Sequence, residues 1–191
     1  MNKQARGRAA TLAMTLTLAL ASGAALAHPQ AGGAHTHGFL DGFTHPFTGL
    51  DHLLAMLAVG IWSVRQSNAR WLQGVFIGMV MVGMASGAAG LAIPGLETGI
   101  AATVVLMGIL IALAARLPAA AGAAMVGAFA LLHGNAHGHE LPQAASALGL
   151  LLASGLLVVG GSVLGRFGPS LALKLSGAAI AATGVMLVAT V

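Results

Sequence analysis

Six apolar stretches, roughly 46–64, 71–93, 97–115, 119–138, 143–165 and 170–190, take up nearly everything after residue 45, and this constrains the chain more than any motif does. An α-helix rises 1.5 Å per residue, so about 20 residues cross the ~30 Å hydrocarbon core of a bilayer. Each stretch is near that length, and each ends at a breaker or a polar turn: Arg65-Gln-Ser-Asn-Ala-Arg70, Pro94-Gly95, Pro118, Pro142 and Gly165-Arg-Phe-Gly-Pro169. The whole chain is 6% charged, against about 25% in an ordinary soluble domain, with a mean hydropathy of +0.92. The fold class expected is all-α: an integral membrane bundle of six transmembrane helices, residues 46–191, after a cleaved signal peptide and with no soluble domain.

Residues 1–27 have the layout of a secretory signal. Lys3, Arg6 and Arg8 precede a short apolar run, and Ala25-Leu26-Ala27 supplies the small-x-small cleavage pattern. The mature chain is then expected to begin at His28, with a polar, His-rich segment, 28–45, on the periplasmic side; its residues 28–44 lack helical periodicity. Arg65 and Arg70, Arg116, and Arg166 with Lys174 fall at alternate junctions, which the positive-inside rule puts in the cytoplasm. Asp41, Glu97 and Glu140 fall on the other side. Alternation puts the mature N-terminus outside, as a cleaved signal also demands, and the expected location is the bacterial inner membrane.

Composition removes several function classes. The Lys and Arg residues are scattered singly, which argues against a nucleic-acid partner. There is no cysteine, so metal chemistry must use imidazole and carboxylate. No Walker motif or nucleotide-binding segment is present, and no ATPase partner is implied. The spacings Gly83-Met-Ala-Ser-Gly87, Gly134-Asn-Ala-His-Gly138 and Gly161-Ser-Val-Leu-Gly165 read as close helix packing, and Met79, Met81 and Met84 as gap-fillers.

Two polar constellations stand out against this background. The first is His45-Pro-Phe-Thr-Gly-Leu-Asp51-His52. On one continuous helix His45 and His52 share a face about 10 Å apart, and Pro46 puts His45 at the cap or just outside. Asp51 either orients a ligating histidine or binds metal itself, and the spacing leaves both open. The second is Leu131-Leu-His-Gly-Asn-Ala-His-Gly-His-Glu140. His133 and His137 lie one turn apart with Glu140 between them in angle, whereas His139 points to the opposite side. Both constellations sit at the outer ends of their spans. Isolated ionisable groups in a membrane are expensive, so their convergence suggests one shared divalent-metal site of His45, Asp51, His52, His133, His137 and Glu140. His139 and the leader histidines His28, His35 and His37 are weaker capture residues. The competing structural reading is a hydrogen-bond network that only locks the helices.

These two motifs, His45 with Asp51-His52 and His133-Gly-Asn-Ala-His137-Gly-His-Glu140, resemble the pair of signatures of the HupE/UreJ family of nickel permease-like membrane proteins. The resemblance covers essentially the whole mature chain. Leu132 departs from it, standing where the family pattern has Phe; the change affects pocket shape and removes no ligand. The resemblance implies a signal peptide, six spans and uptake of Ni²⁺ for hydrogenase or urease maturation, with Co²⁺ proposed for related members. The choice of nickel over cobalt or zinc comes from the resemblance alone.

The function expected is divalent-metal uptake through the lipid bilayer, not enzymatic, with the metal as substrate and no permanently bound cofactor. An intramembrane metal-dependent hydrolase and a passive metal-binding protein are the competing classes. The inner halves of the spans offer only Ser63, Ser162, backbone carbonyls and thioether sulfur, which name no second binding site. The oligomeric state is left open.

Overall fold

The computed structural model describes residues 38–191, which form seven α-helices and no strand: α1 (Phe39–Thr48), α2 (Leu50–Ser63), α3 (Ala69–Ala88), α4 (Leu96–Ala112), α5 (Ala119–Glu140), α6 (Ala144–Phe167) and α7 (Ser170–Val188). The signal peptide, the mature N-terminus and His28, His35 and His37 lie outside the described residues. Four helices, α3, α5, α6 and α7, are long and apolar enough to cross a membrane; α2 and α4 are apolar but shorter.

The first apolar stretch departs from expectation. In place of one helix over 46–64 there are two, and residues 39–44, read as lacking helical periodicity, are helical. Two local signals explain this. Asp41 accepts the Gly38 backbone N–H at 2.9 Å, capping the first turn, and Phe39, Phe43 and Phe47 recur every four residues, with successive ring centroids 6.2 and 5.8 Å apart. Pro46 therefore lies inside α1, and His45 in its last turn, where the spacing had put it at or outside a cap. Pro46 has no N–H to give the preceding turn, and α1 stops two residues later. Gly49, in extended conformation, separates the helices and serves as N-cap of α2.

α1 and α2 run in succession along α6. Gly42 and Gly149 bring α1 against the start of α6, while Gly60, Gly161 and Gly165 bring α2 against its later turns. The same device joins α3 to α5 through Gly83, Gly87, Gly134 and Gly138, and α4 to α7 through Gly108, Gly177 and Gly184. At each of these glycines an added Cβ would meet backbone atoms of the facing helix, so the backbones touch directly. In lipid no hydrophobic drive holds helices together, and such close approach supplies the dispersion contact instead. The small-residue spacings thus have the packing role read from the sequence.

The core between the pairs is apolar, with Met56, Leu72, Phe76, Val104, Met107 and Leu150 fully buried. The outward face of α6 presents Leu148, Leu152, Leu156, Val159 and Val163, all exposed, a continuous apolar stripe of the kind a lipid-facing surface requires. Helix direction also segregates charge among the described residues. Asp41, Asp51, Glu97 and Glu140 belong to one end of the bundle, and Arg65, Arg70, Arg116, Arg166 and Lys174 to the other.

Candidate metal site

At the carboxylate end, the last turn of α1, the first turn of α2 and the last two turns of α5 meet, and they bring four imidazoles together. The ring centroids of His52 lie 4.3 Å from those of His137 and 5.1 Å from those of His133. His45 is 5.0 Å from His137 and 6.4 Å from His52. Two imidazoles bound to one ion at about 2.0–2.1 Å have centroids roughly 4.5–5 Å apart at right-angle or tetrahedral geometry. The neighbouring rings therefore have the separations of co-ligands.

Burial deepens along α5. The side chain of Glu140 is 45% exposed and that of His45 32%, whereas those of His137 and His133 are buried. Glu140 Oε2 accepts a hydrogen bond at 2.9 Å from His45 Nε2 and lies 3.5 Å from His137 Nδ1. His45, His137 and Glu140 can offer ligand atoms within 4.8 Å of one another. His137 also faces His52, so it joins this outer trio to the deeper pair of His52 and His133.

The deeper imidazoles are held so that one nitrogen stays free. Asp51 Oδ1 accepts the Nδ1–H of His52 at 2.8 Å and the His52 backbone N–H at 2.8 Å. His133 donates Nδ1–H to the Phe129 carbonyl at 2.8 Å, one turn back. In both rings this fixes the tautomer with the lone pair on Nε2, the arrangement seen around metal-ligating histidines. Both Nε2 atoms are buried with no hydrogen-bond partner in the protein, as is Nε2 of His137, whose Nδ1 faces Glu140 Oε2 at 3.5 Å.

The structure brings His133, His137 and Glu140 of α5 together in the cluster. His139 points away and donates from Nε2 to the Leu91 carbonyl in the α3–α4 turn at 3.1 Å. The break at Gly49 changes the relation of His45 to His52 from about 10 Å along one helix to adjacent rings. Asp51, whose role the spacing left open, is engaged with His52. Sequence reasoning gave no role to Asn135. It is buried on the opposite face of α5, and its Nδ2 donates to Ser86 Oγ and to the Leu91 carbonyl, each at 2.9 Å, tying α5 to the end of α3. A lone amide among glycines in an apolar span was the available signal. Leu132 packs beside Gly99 of α4.

The sequence model of the HupE / UreJ protein family matches residues 16–187. The chain belongs to the HupE/UreJ family. It is 39% identical over 184 residues to Protein HupE of Rhizobium leguminosarum bv. viciae, an alignment covering 91% of this chain and 96% of that protein. No solved structure matches it. Family membership, with the apolar helices and exposed apolar faces, makes this HupE/UreJ protein a multi-pass membrane protein.

Proposed function

We propose that the chain is an uptake permease for nickel or a closely related divalent transition metal, serving hydrogenase or urease maturation. The observation that carries this reading is the gathering of three buried imidazole nitrogens, Nε2 of His52, His133 and His137, behind the His45–Glu140 pair. Neutral imidazole nitrogens gathered from two helices, with a carboxylate beside them, are a ligand set for a divalent ion. Imidazole with carboxylate and without thiolate suits divalent nickel, cobalt or zinc. The preference for nickel rests on the family.

In this reading His45 and Glu140 take the ion at the mouth and His137 draws it inward. His52 and His133 then hold it with their Nε2 lone pairs, while Asp51 keeps His52 in the correct tautomer. Capture by His28, His35 and His37 on the leader raises the local concentration. The six spans are α1 with α2 as a two-piece first crossing, then α3 to α7, in the bacterial inner membrane with the carboxylate end periplasmic. A divalent ion entering an inside-negative cell gains about 4.6 kcal/mol per 100 mV, twice the value for one charge, which is the driving force for inward movement.

Uptake of labelled nickel, cobalt and zinc into proteoliposomes holding only this chain tests the reading. Saturable entry that disappears in His133→Ala at normal protein level is the expected result. Metal binding without flux would leave a passive binder, and turnover of an organic substrate without flux would indicate a hydrolase.

A further inference from the structure

At the opposite end of the bundle three uncharged polar side chains from three helices meet. Gln73 of α3 donates from Nε2 to Ser162 Oγ of α6 at 2.7 Å and to Ser63 Oγ of α2 at 3.2 Å. The hydroxyls pass these bonds on to helix carbonyls: Ser162 to Val158 at 2.8 Å, with Gly60 at 3.3 Å, and Ser63 to Gly60 at 3.3 Å. Ser63 is fully buried.

This cluster stands in line with the histidines. Ser63 is eleven residues beyond His52, which on an α-helix is three turns and about 20°, an advance of about 16 Å. Met56 and Val59 lie on the same stripe between them, both buried. On α3, Gln73 bears the same eleven-residue relation to buried Met84, with buried Val80 between. On α2, then, a polar group at the carboxylate end and one at the basic end share an inward face, separated by an apolar interval, and on α3 Gln73 stands at the basic end of a stripe that is otherwise apolar.

The donor chemistry of the two ends differs in a useful direction. Each serine Oγ accepts one N–H from Gln73 and keeps a second lone pair, and the amide Oε1 is a further acceptor. Turning the amide over would put Oε1 where Nε2 now lies, between the two hydroxyl oxygens. Three neutral oxygens hold a divalent transition ion far more weakly than imidazole and carboxylate, and leave most of its positions to water. Conduction needs this at an exit: binding good enough to accept the ion and weak enough to release it.

We propose that Gln73, Ser63 and Ser162 form an inner station on the ion route, an uncharged oxygen site that receives the divalent cation from the histidines, rehydrates it and releases it at the basic end of the bundle. The inference rests on the transport reading above. Its test uses Gln73→Leu and Gln73→Glu in the full chain, with equilibrium nickel binding in detergent and initial nickel uptake in proteoliposomes. Gln73→Leu should leave affinity at the histidine site within about twofold while maximal uptake falls roughly tenfold, equivalent to about 1.4 kcal/mol on the crossing barrier. Gln73→Glu should bind one additional ion per chain and also slow uptake, because a carboxylate at the exit retains the ion. A purely structural glutamine would change thermal stability without separating binding from flux. Wild-type maximal uptake in Gln73→Leu overturns the inner station; should that variant fail to fold, unchanged stoichiometry and uptake in Gln73→Glu overturns it equally. If the unmodified chain moves no metal, the transport reading falls and the station with it, whereas normal flux in the unmodified chain and both variants removes the station alone.

Discussion

Asp51 offers the sharpest test of how the site is built, because its two candidate roles predict different arithmetic. Its Oδ1 holds His52 through the ring N–H and the backbone N–H, each at 2.8 Å. Asp51→Asn keeps an acceptor oxygen in place and removes the charge. Hydrogen bonds to a charged partner contribute about 1.5–3 kcal/mol and neutral ones about 1 kcal/mol, so the hold on the correct His52 tautomer weakens by roughly 1–2 kcal/mol. At 1.4 kcal/mol per tenfold, metal affinity should drop about tenfold, with protein level maintained. A residue acting only through His52 has nothing left to orient once that ring is gone. In a His52→Ala background the Asp51→Asn change should therefore cost less than about twofold. Equilibrium binding of nickel to the four purified proteins, by competition with a chromophoric chelator, measures the cycle. Equal losses in the two backgrounds would show Asp51 to be an independent ligand and refute the orienting role.

Uptake should be lost in His137→Ala and retained largely in His139→Ala at matched protein levels; equal loss in both would reject the division of α5 into a ligand face and a fastening face. Gly83→Leu should lower the melting temperature in detergent markedly, since its side chain meets the α5 backbone, while Gly78→Ala, which meets no neighbouring atom, should not. Acidifying the mouth side from about pH 7 to 5.5 should raise the half-saturating metal concentration several-fold, with maximal uptake less affected, because protons compete for imidazoles that bind metal only when neutral. Uptake that rises on acidification would instead indicate inward proton coupling. N-terminal sequencing of the purified protein should begin at His28, and a Met-Asn-Lys start would refute cleavage.

The helix count after residue 64 was legible because each apolar stretch is bounded by Pro, Gly or Arg, and the common face of His133, His137 and Glu140 was legible because it depends on one unbroken helix. The first apolar stretch departs from a single helix because two local rules compete there. Apolarity rises smoothly through Pro46 to Ser63, which conceals the break at Gly49, while the phenylalanine spacing and the Asp41 cap upstream were treated as leader. The closeness of His45 to His137 and Glu140 depends on how α1 and α5 meet, a tertiary fact that no spacing within either motif encodes. Of the polar cluster at the basic end, Ser63 and Ser162 stand out within apolar spans, whereas Gln73 sits near the start of α3, where a polar residue passes for the end of a loop.

The two-sided character of α5 has a consequence for genetics. Its final turns alternate between residues facing the imidazole cluster and residues fastened to α3: His133 and His137 toward the cluster, Gly134 and Gly138 against the backbone of α3, Asn135 holding Ser86 and the Leu91 carbonyl. A mutational scan scored on growth or uptake would return this run as almost uniformly intolerant and suggest a long, homogeneous ligand motif. Scored twice, once for protein abundance and once for metal bound per folded molecule, the same scan should separate into two interleaved registers, only one of which changes the metal bound.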